Sequence, residues 1–147
     1  IPFTARPSML SRTTEYALQI MSLMARDEAR LYRTDDIYDK LKIPYRYLRK
    51  LMTGLAKSGL IVSEQGKFGG YRIARPLEAI SFMDILEAGG ESYFSNTCFF
   101  GFGDCALTHR CMMHDKWISI RESTRLVLVN TTLAEVKKHG PVTLSPL

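Results

Sequence analysis

PYRYLRKLMTGLAKSGLIVSEQGKFGGYRIARP, residues 44–76, changes its periodicity once, and that change decides the fold. Up to Lys57 the apolar residues Leu48, Leu51, Met52 and Leu55 recur at helical spacing, which predicts a helix from about Pro44 to Lys57 with those four buried. Pro44 suits the first helical position and Gly59 a C-terminal stop. Arg46, Arg49, Lys50 and Thr53 stand at i, i+3, i+4 and i+7, so they share the opposite face. Beyond Gly59 the pattern becomes two strand-like runs, Leu60–Glu64 and Tyr71–Ala74. Between them lies Gln65-Gly66-Lys67-Phe68-Gly69-Gly70, whose glycines permit a tight reversal. Lys67 and Arg72 make this hairpin basic.

Working outward toward the N-terminus, Thr34 is expected to cap a short helix with Asp35 and Asp36 in its first turn. Ile37, Tyr38 and Leu41 would face inward, and Lys42-Ile43 forms the turn into the next helix. Earlier still, Ser11 is a plausible N-cap, with Glu15 in the first turn where negative charge is favoured. Tyr16, Ala17, Ile20, Met21 and Met24 make the apolar stripe of that helix, which should end near Asp27–Ala29. A helix, a short helix, a tight turn, a helix with an exposed basic face and a basic hairpin follow the order of a winged helix-turn-helix.

Toward the C-terminus, Ser81 with Asp84 forms a capping box for a helix over Ser81–Ala88, and Gly89-Gly90 stops it. A long helix is expected from Met112 to about Val129. It carries more apolar positions than a helix with nothing to cover needs, so it reads as a packing or dimerisation helix. Thr132 with Glu135 caps a last short helix. The fold class is therefore mostly α with a small β-hairpin wing: a winged helix-turn-helix domain plus a long C-terminal dimerisation helix. The expected organisation is an extension over 1–8, a DNA-binding domain over 9–80, a short helix and cysteine loop over 81–111, a dimerisation helix region over 112–136 and a flexible tail over 137–147. The natural start is expected at Met9.

The chain carries a net charge of +5, spread unevenly. Residues 40–75 hold nine Lys or Arg against the single acid Glu64, a net +8, while everything else sums to −3. A basic block on a folded domain points to a polyanion. Arg46, Arg49 and Lys50 would enter the major groove of double-stranded DNA, with Tyr45 or Thr53 adding phosphate or thymine-methyl contacts. Lys67 and Arg72 would bring the wing onto the backbone or the minor groove. Basic residues that touch only phosphate would position the protein without specifying sequence. Two copies would read a palindromic operator with half-sites about 34–36 Å apart. No Ser/His/Asp set and no phosphate loop is visible, so an enzyme is not expected. No apolar run approaches the roughly 18 residues a membrane helix needs. Three cysteines cannot all pair within one chain, which argues for a reducing compartment and predicts a cytoplasmic protein.

All three cysteines fall in one segment, spaced Cys98-x6-Cys105-x5-Cys111-x2-His114. Three thiolates and an imidazole make a full set of four ligands for an iron–sulfur cluster. Gly101 and Gly103 would let the chain wrap it, and Phe99, Phe100 and Phe102 would shield the sulfurs. Zinc held by Cys3His is an alternative, although the loop lacks the tight C-x2–4-C knuckle. A cluster-free thiol switch is another. A small iron–sulfur redox protein would leave the basic block and hairpin without a purpose.

The ordered series Met9-Leu10-Ser11, Glu15-Tyr16-Ala17-Leu18, Ile43-Pro44, Tyr47-Leu48, Gly59-Leu60-Ile61, Gly69-Gly70-Tyr71, Ala74-Arg75-Pro76, Ile80-Ser81 and Asp84-Ile85 resembles the Rrf-type winged-helix regulators, the family that includes IscR and NsrR. The resemblance covers Met9 to about Val136. It implies a homodimeric transcription factor, usually a repressor, whose affinity for DNA follows an iron–sulfur cluster that senses iron, redox state or nitric oxide. The cysteine spacing resembles the IscR-like loop, where three cysteines and a histidine hold a [2Fe–2S] centre. Glu15 instead matches the position from which some NsrR-like members supply a carboxylate from the partner subunit, which would favour [4Fe–4S]. His114 and Glu15 thus compete as fourth ligand, and a charge serving the helix macrodipole is the simpler role for Glu15. Gln65 departs from the family, whose wing commonly carries an arginine there.

Overall fold

The structure, a computed structural model, describes residues 9–91, 98–100 and 111–139. Among these, the elements run α1 (Arg12–Met24), α2 (Thr34–Leu41), α3 (Tyr45–Lys57), β1 (Ile61–Glu64), β2 (Gly70–Ile73), α4 (Phe82–Ala88), α5 (His114–Asn130) and α6 (Leu133–His139), with a single 3-10 turn at Leu77–Ala79. This is the expected class, helical with one hairpin. No helix among the described residues is long and apolar enough to cross a membrane.

α1 begins as its sequence predicts, the Thr14 N–H donating to Ser11 Oγ at 3.2 Å. It ends at Met24, earlier than expected, because the Arg26 N–H reaches back to the Leu23 carbonyl and tightens the last turn. α2 also departs by one position. Thr34 is its first helical residue, and the cap is Arg33, whose N–H donates to the Asp36 carboxylate at 3.0 Å. Only Ile37 is fully inside; Tyr38, expected inward, lies on the rim with its ring edge-on to Tyr45 at 5.9 Å. Successive helical residues are about 100° apart, and α2 has only one turn's depth against the core.

The turn from α2 to α3 places Lys42 in the left-handed region (φ 54°), after which Pro44 caps α3 rather than opening it. α3 buries Leu48, Leu51, Met52 and Leu55, the four residues read from its stripe. Its end is a Schellman motif built on Gly59 (φ 76°): the Gly59 N–H donates to the Ala56 carbonyl and the Leu60 N–H to the Leu55 carbonyl. The Arg75 guanidinium donates to the Gly59 carbonyl at 3.2 Å, which ties the base of the hairpin to the end of α3.

The strands pair antiparallel, Ile61 opposite Ile73 and Glu64 opposite Gly70. Ile61 and Ile73 face the core, Tyr71 packs partly against it, and the loop from Gln65 to Phe68 projects outward. One core unites the chain: Ile20, Met21 and Met24 of α1 meet Ile37, Leu48, Met52, Ile80 and Ile85. α4 starts on the expected capping box, the Ser81 N–H donating to Asp84 and the Asp84 N–H to Ser81 Oγ. α6 returns to the same core through the fully buried Leu133, whose N–H donates to the Ile80 carbonyl at 2.8 Å. It continues through Lys137–His139, residues expected in the tail. α5 is different. Its first residue, His114, is its one buried side chain, and Ile120, Leu126, Val127 and Val129 stand exposed.

Candidate nucleic-acid interface and cysteine segment

The four residues predicted on the outer face of α3 come together, and Tyr45 joins them. Tyr45, Arg46, Arg49, Lys50 and Thr53 line one open groove of about 500 Å³. All five are exposed, as expected for the helix face opposite Leu48 and Leu55. Thr53 Oγ1 donates to the Arg49 carbonyl at 3.0 Å, so its methyl is the part left outward. Tyr45 is held at the helix start by its neighbours. The Asp35 carboxylate accepts from its hydroxyl and raises its pKa above the ordinary tyrosine value, and the Tyr38 ring packs against it. No acidic residue interrupts α3, so the groove is positive over Arg46, Arg49 and Lys50, with the Asp35 carboxylate beside Tyr45 at its start.

The two predicted wing residues have different surroundings. Lys67 is exposed at the hairpin tip, with its ammonium 5.7 Å from the Phe68 ring centroid. The Arg72 guanidinium is instead paired across the hairpin with the Glu64 carboxylate at 2.6 Å. Both partners are substantially exposed, which limits the pair to a surface contribution, yet it offsets the positive charge Arg72 would offer DNA. Sequence reading missed Arg33. Its guanidinium donates to the Lys67 carbonyl at 2.8 Å, which places a further cation beside the wing tip. Only the fold, which bridges Tyr32 to Tyr71 and so lays the start of α2 beside the hairpin, brings it there.

Of the proposed metal ligands, Cys98, Cys111, His114 and Glu15 lie among the described residues, and Cys105 lies outside them, as do Gly101, Phe102 and Gly103. Cys111 is exposed and Cys98 partly so. The Phe100 N–H points at the Cys98 sulfur at 3.4 Å, the contact a metal-holding thiolate accepts from its own backbone. The His114 N–H donates to the Cys111 carbonyl, so the third thiol and the imidazole straddle one turn at the start of α5; the imidazole is only 5% exposed. Phe99 packs edge-on against Trp117 at 5.3 Å and so anchors the Cys98 end of the segment to α5, while Phe99 and Phe100 stay half exposed rather than closing over the sulfurs. Among the described residues no three His, Cys, Asp or Glu side chains converge on one point. Thiols and an imidazole are donor types that a soft metal centre takes, but Cys98, Cys111 and His114 do not meet as one site among the described residues.

Glu15 sits partly buried in the first turn of α1. Beside it is a link that sequence reading did not find. Glu91, the residue after Gly90, accepts from the Ser11 N–H at 3.0 Å and from the Thr14 hydroxyl at 3.2 Å through the same oxygen. The chain leaving α4 toward the cysteines is thereby tied to the cap of α1. Contacts across 77 and 80 residues leave no local signature in a sequence.

Comparison with known proteins agrees with this geometry. The Rrf2 family model, described as an iron-dependent transcriptional regulator, matches residues 10–139. An HTH-type transcriptional regulator of Aquifex aeolicus is 28% identical over 130 residues, which are 87% of this chain and 90% of that protein. The IscR regulator of Vibrio campbellii is 34% identical over 107 residues, 73% of this chain; the match spans 63% of IscR, less than two thirds of its length. Among solved structures, CymR of B. subtilis, the global cysteine regulator, superposes with a TM-score of 0.76 at 23% identity, over 91% of this chain and 99% of CymR. An oxidized form of Staphylococcus aureus CymR superposes with a TM-score of 0.70 at 26% identity, over 92% of this chain and all of CymR.

Proposed function

The chain belongs to the Rrf2 family of transcriptional regulators, and from that premise we propose that it is a homodimeric repressor whose hold on DNA is set by an iron–sulfur cluster at its cysteines. One observation carries the DNA-binding half: the groove formed by Tyr45, Arg46, Arg49, Lys50 and Thr53, with no acid on its helix. α3 would lie in the major groove, with arginine to guanine as the main sequence-reading contact, worth about 1–3 kcal/mol of discrimination. Lys67 and Arg33 would meet phosphates beside it, positioning without specifying. The exposed Ile120, Leu126, Val127 and Val129 of α5 would be covered by the same helix of a second copy. A two-fold dimer would read a palindrome with half-sites about 34–36 Å apart.

Cys98, Cys105 and Cys111 would hold the cluster, [2Fe–2S] in preference to [4Fe–4S], with His114 or Glu15 as fourth ligand. When bound, such a cluster supplies one-electron chemistry and reactivity toward oxidants and nitric oxide. The cysteine segment joins α4 to α5. Its N-terminal side is held twice, by Glu91 on the cap of α1 and by Phe99 on Trp117 of α5. A change in what the thiols hold would alter the set of the dimer helix against the first helix of the DNA-binding unit, and with it the spacing of two α3 helices.

The accessible thiols favour one second reading, a cluster-free regulator in which Cys98, Cys105 and Cys111 are oxidised directly. The structural match to an oxidized form of S. aureus CymR supports that reading. Purification without oxygen, a visible spectrum and an iron and zinc count separate the alternatives. Iron with visible colour supports the cluster, colourless zinc protein replaces it by a structural metal, and metal-free protein leaves the thiol switch. Selection of duplex DNA from a random library tests the other half. Failure to enrich any sequence, with metal or without, would overturn DNA recognition.

A further inference from the structure

We propose that Phe68 is an apolar wedge that the wing inserts into the minor groove of bound DNA, an inference that rests on the DNA-binding reading above. Phe68 is 83% exposed at the tip of the hairpin. A phenyl ring so fully in water contributes almost nothing to the core and is available to a binding partner. It is also presented rigidly. The Gly69 N–H closes the loop onto the Gly66 carbonyl at 3.0 Å, and a Cβ on Gly69 would overlap the Glu64 carbonyl oxygen, so only glycine permits this path. From outside the hairpin, the Arg33 guanidinium holds the Lys67 carbonyl at 2.8 Å.

The surroundings identify the occupant. Leu31, Arg33, Asp36, Lys67, Phe68 and Gly69 line an open groove of about 410 Å³ beside the ring. The Lys67 ammonium lies 5.7 Å from the ring centroid, and the Arg33 guanidinium bonds to the same loop. An aromatic ring flanked by two cations matches a surface that is anionic at its edges and apolar between them. The minor groove is such a surface, with phosphates along its rims and sugars and base edges within. Proteins that enter it commonly drive a Phe, Leu or Ile between base steps and bend the duplex. With Lys67 and Arg33 meeting phosphates at the rims, the wing's discrimination would come from the deformability of the steps that the ring enters. The flanks of the preferred site should therefore be rich in the easily unstacked TA and CA/TG steps.

The test uses the duplex selected from a random library by the full chain. Phe68→Ala is expected to bind it about tenfold more weakly, in the range of losing one base–aromatic stack, and to reduce the bend measured by circular permutation. The salt dependence of the affinity should not change, because no charge is lost. Lys67→Ala should instead lower the slope of log K against log salt by about 1. Phe68→Leu, which keeps an apolar wedge, should retain most of the bend. Equal affinity and equal bend for Phe68→Ala would overturn the wedge, as would a loss of dimer in sedimentation, which would make the ring an interface residue. If no sequence is enriched at all, the DNA-binding reading fails and the wedge with it. If a sequence is enriched but Phe68→Ala binds it unchanged, only the wedge fails.

Discussion

Tyr32 and Tyr71 exchange two backbone hydrogen bonds, Tyr32 N–H to the Tyr71 carbonyl at 2.7 Å and Tyr71 N–H to the Tyr32 carbonyl at 2.8 Å. This bridge makes the link between α1 and α2 a third, one-residue strand of the wing. The hairpin is thereby fixed to the helix-turn-helix rather than hanging from it, so wing and α3 would approach DNA as one body. The ring of Tyr32 is buried with its hydroxyl on the Leu23 carbonyl, and burial raises its pKa. The anchor is therefore seated in the core at its inner end.

The bridge makes Gly70 a sensitive position. A Cβ there would lie 2.9 Å from the Tyr32 carbonyl oxygen, and neither backbone can give way without breaking the exchange. Gly70→Ala is expected to cost about 1–3 kcal/mol, the range for forcing a strained backbone, and to weaken DNA binding through the displaced wing. Gly66→Ala is the comparison: its Cβ would meet open space, but φ is 109°, so strain alone acts. Urea denaturation of both variants measures the costs. A Gly70→Ala protein as stable as the parent would mean the bridge is dispensable.

The salt bridge of the hairpin makes a prediction of opposite sign. Glu64 is the one acid within residues 40–75 and it engages Arg72 at 2.6 Å. Glu64→Gln removes a negative charge from the DNA-facing block and frees Arg72. Because both side chains are exposed, stability should change by less than about 1 kcal/mol. Affinity for random duplex DNA should rise, and the salt slope should steepen by about 1 if Arg72 gains a phosphate. Arg46→Ala should behave otherwise, weakening a selected operator by about 1–3 kcal/mol more than random DNA if it reads a base. Gel-shift titrations at several salt concentrations on both duplexes decide each case.

How much of this was legible in the sequence varies with the range of the forces involved. The four buried positions of α3, its outer face and the Gly59 stop are local, and periodicity with one glycine encodes them. Tyr38 was misjudged because a stripe count treats tyrosine as apolar, whereas its ring lies at the rim against Tyr45. The pairing of Arg72 with Glu64 depends on hairpin register, and Arg33 reaches Lys67 only because the neighbouring Tyr32 bridges to Tyr71. The cysteine spacing suggests ligands, but a loop without periodicity carries no geometry, and the fourth ligand is a question of tertiary placement.

Glu91 offers a test of communication between the cysteine segment and α1. Its carboxylate joins the Ser11 N–H and the Thr14 hydroxyl at the helix cap. Glu91→Ala should cost about 1 kcal/mol or somewhat more, as expected for losing charge-assisted hydrogen bonds at a helix start. Ser11→Ala should cost a similar amount through the cap alone. The two variants should part in their response to the metal or redox state. Ser11→Ala should keep the difference in DNA affinity between the reduced and oxidised forms, and Glu91→Ala should shrink it. An undiminished difference in Glu91→Ala would remove this contact from the coupling route.

Of the two proposed fourth ligands, we favour His114 over Glu15. His114 begins α5 with its imidazole 5% exposed, one turn from Cys111, on the segment that holds all the thiols. Glu15 belongs to α1, and a ligand role would require it to reach the thiols of a partner subunit. On that preference, His114→Ala is expected to lose iron and visible colour during anaerobic purification. It should also destabilise the metal-free protein by about 1–3 kcal/mol, because a buried polar group and its packing are removed. Glu15→Ala should keep its colour and lose only the few tenths of a kcal/mol that a carboxylate in the first turn contributes. Iron retained by His114→Ala and lost by Glu15→Ala would reverse the assignment. The metal-free melting of each variant, measured in parallel, separates loss of a ligand from loss of fold.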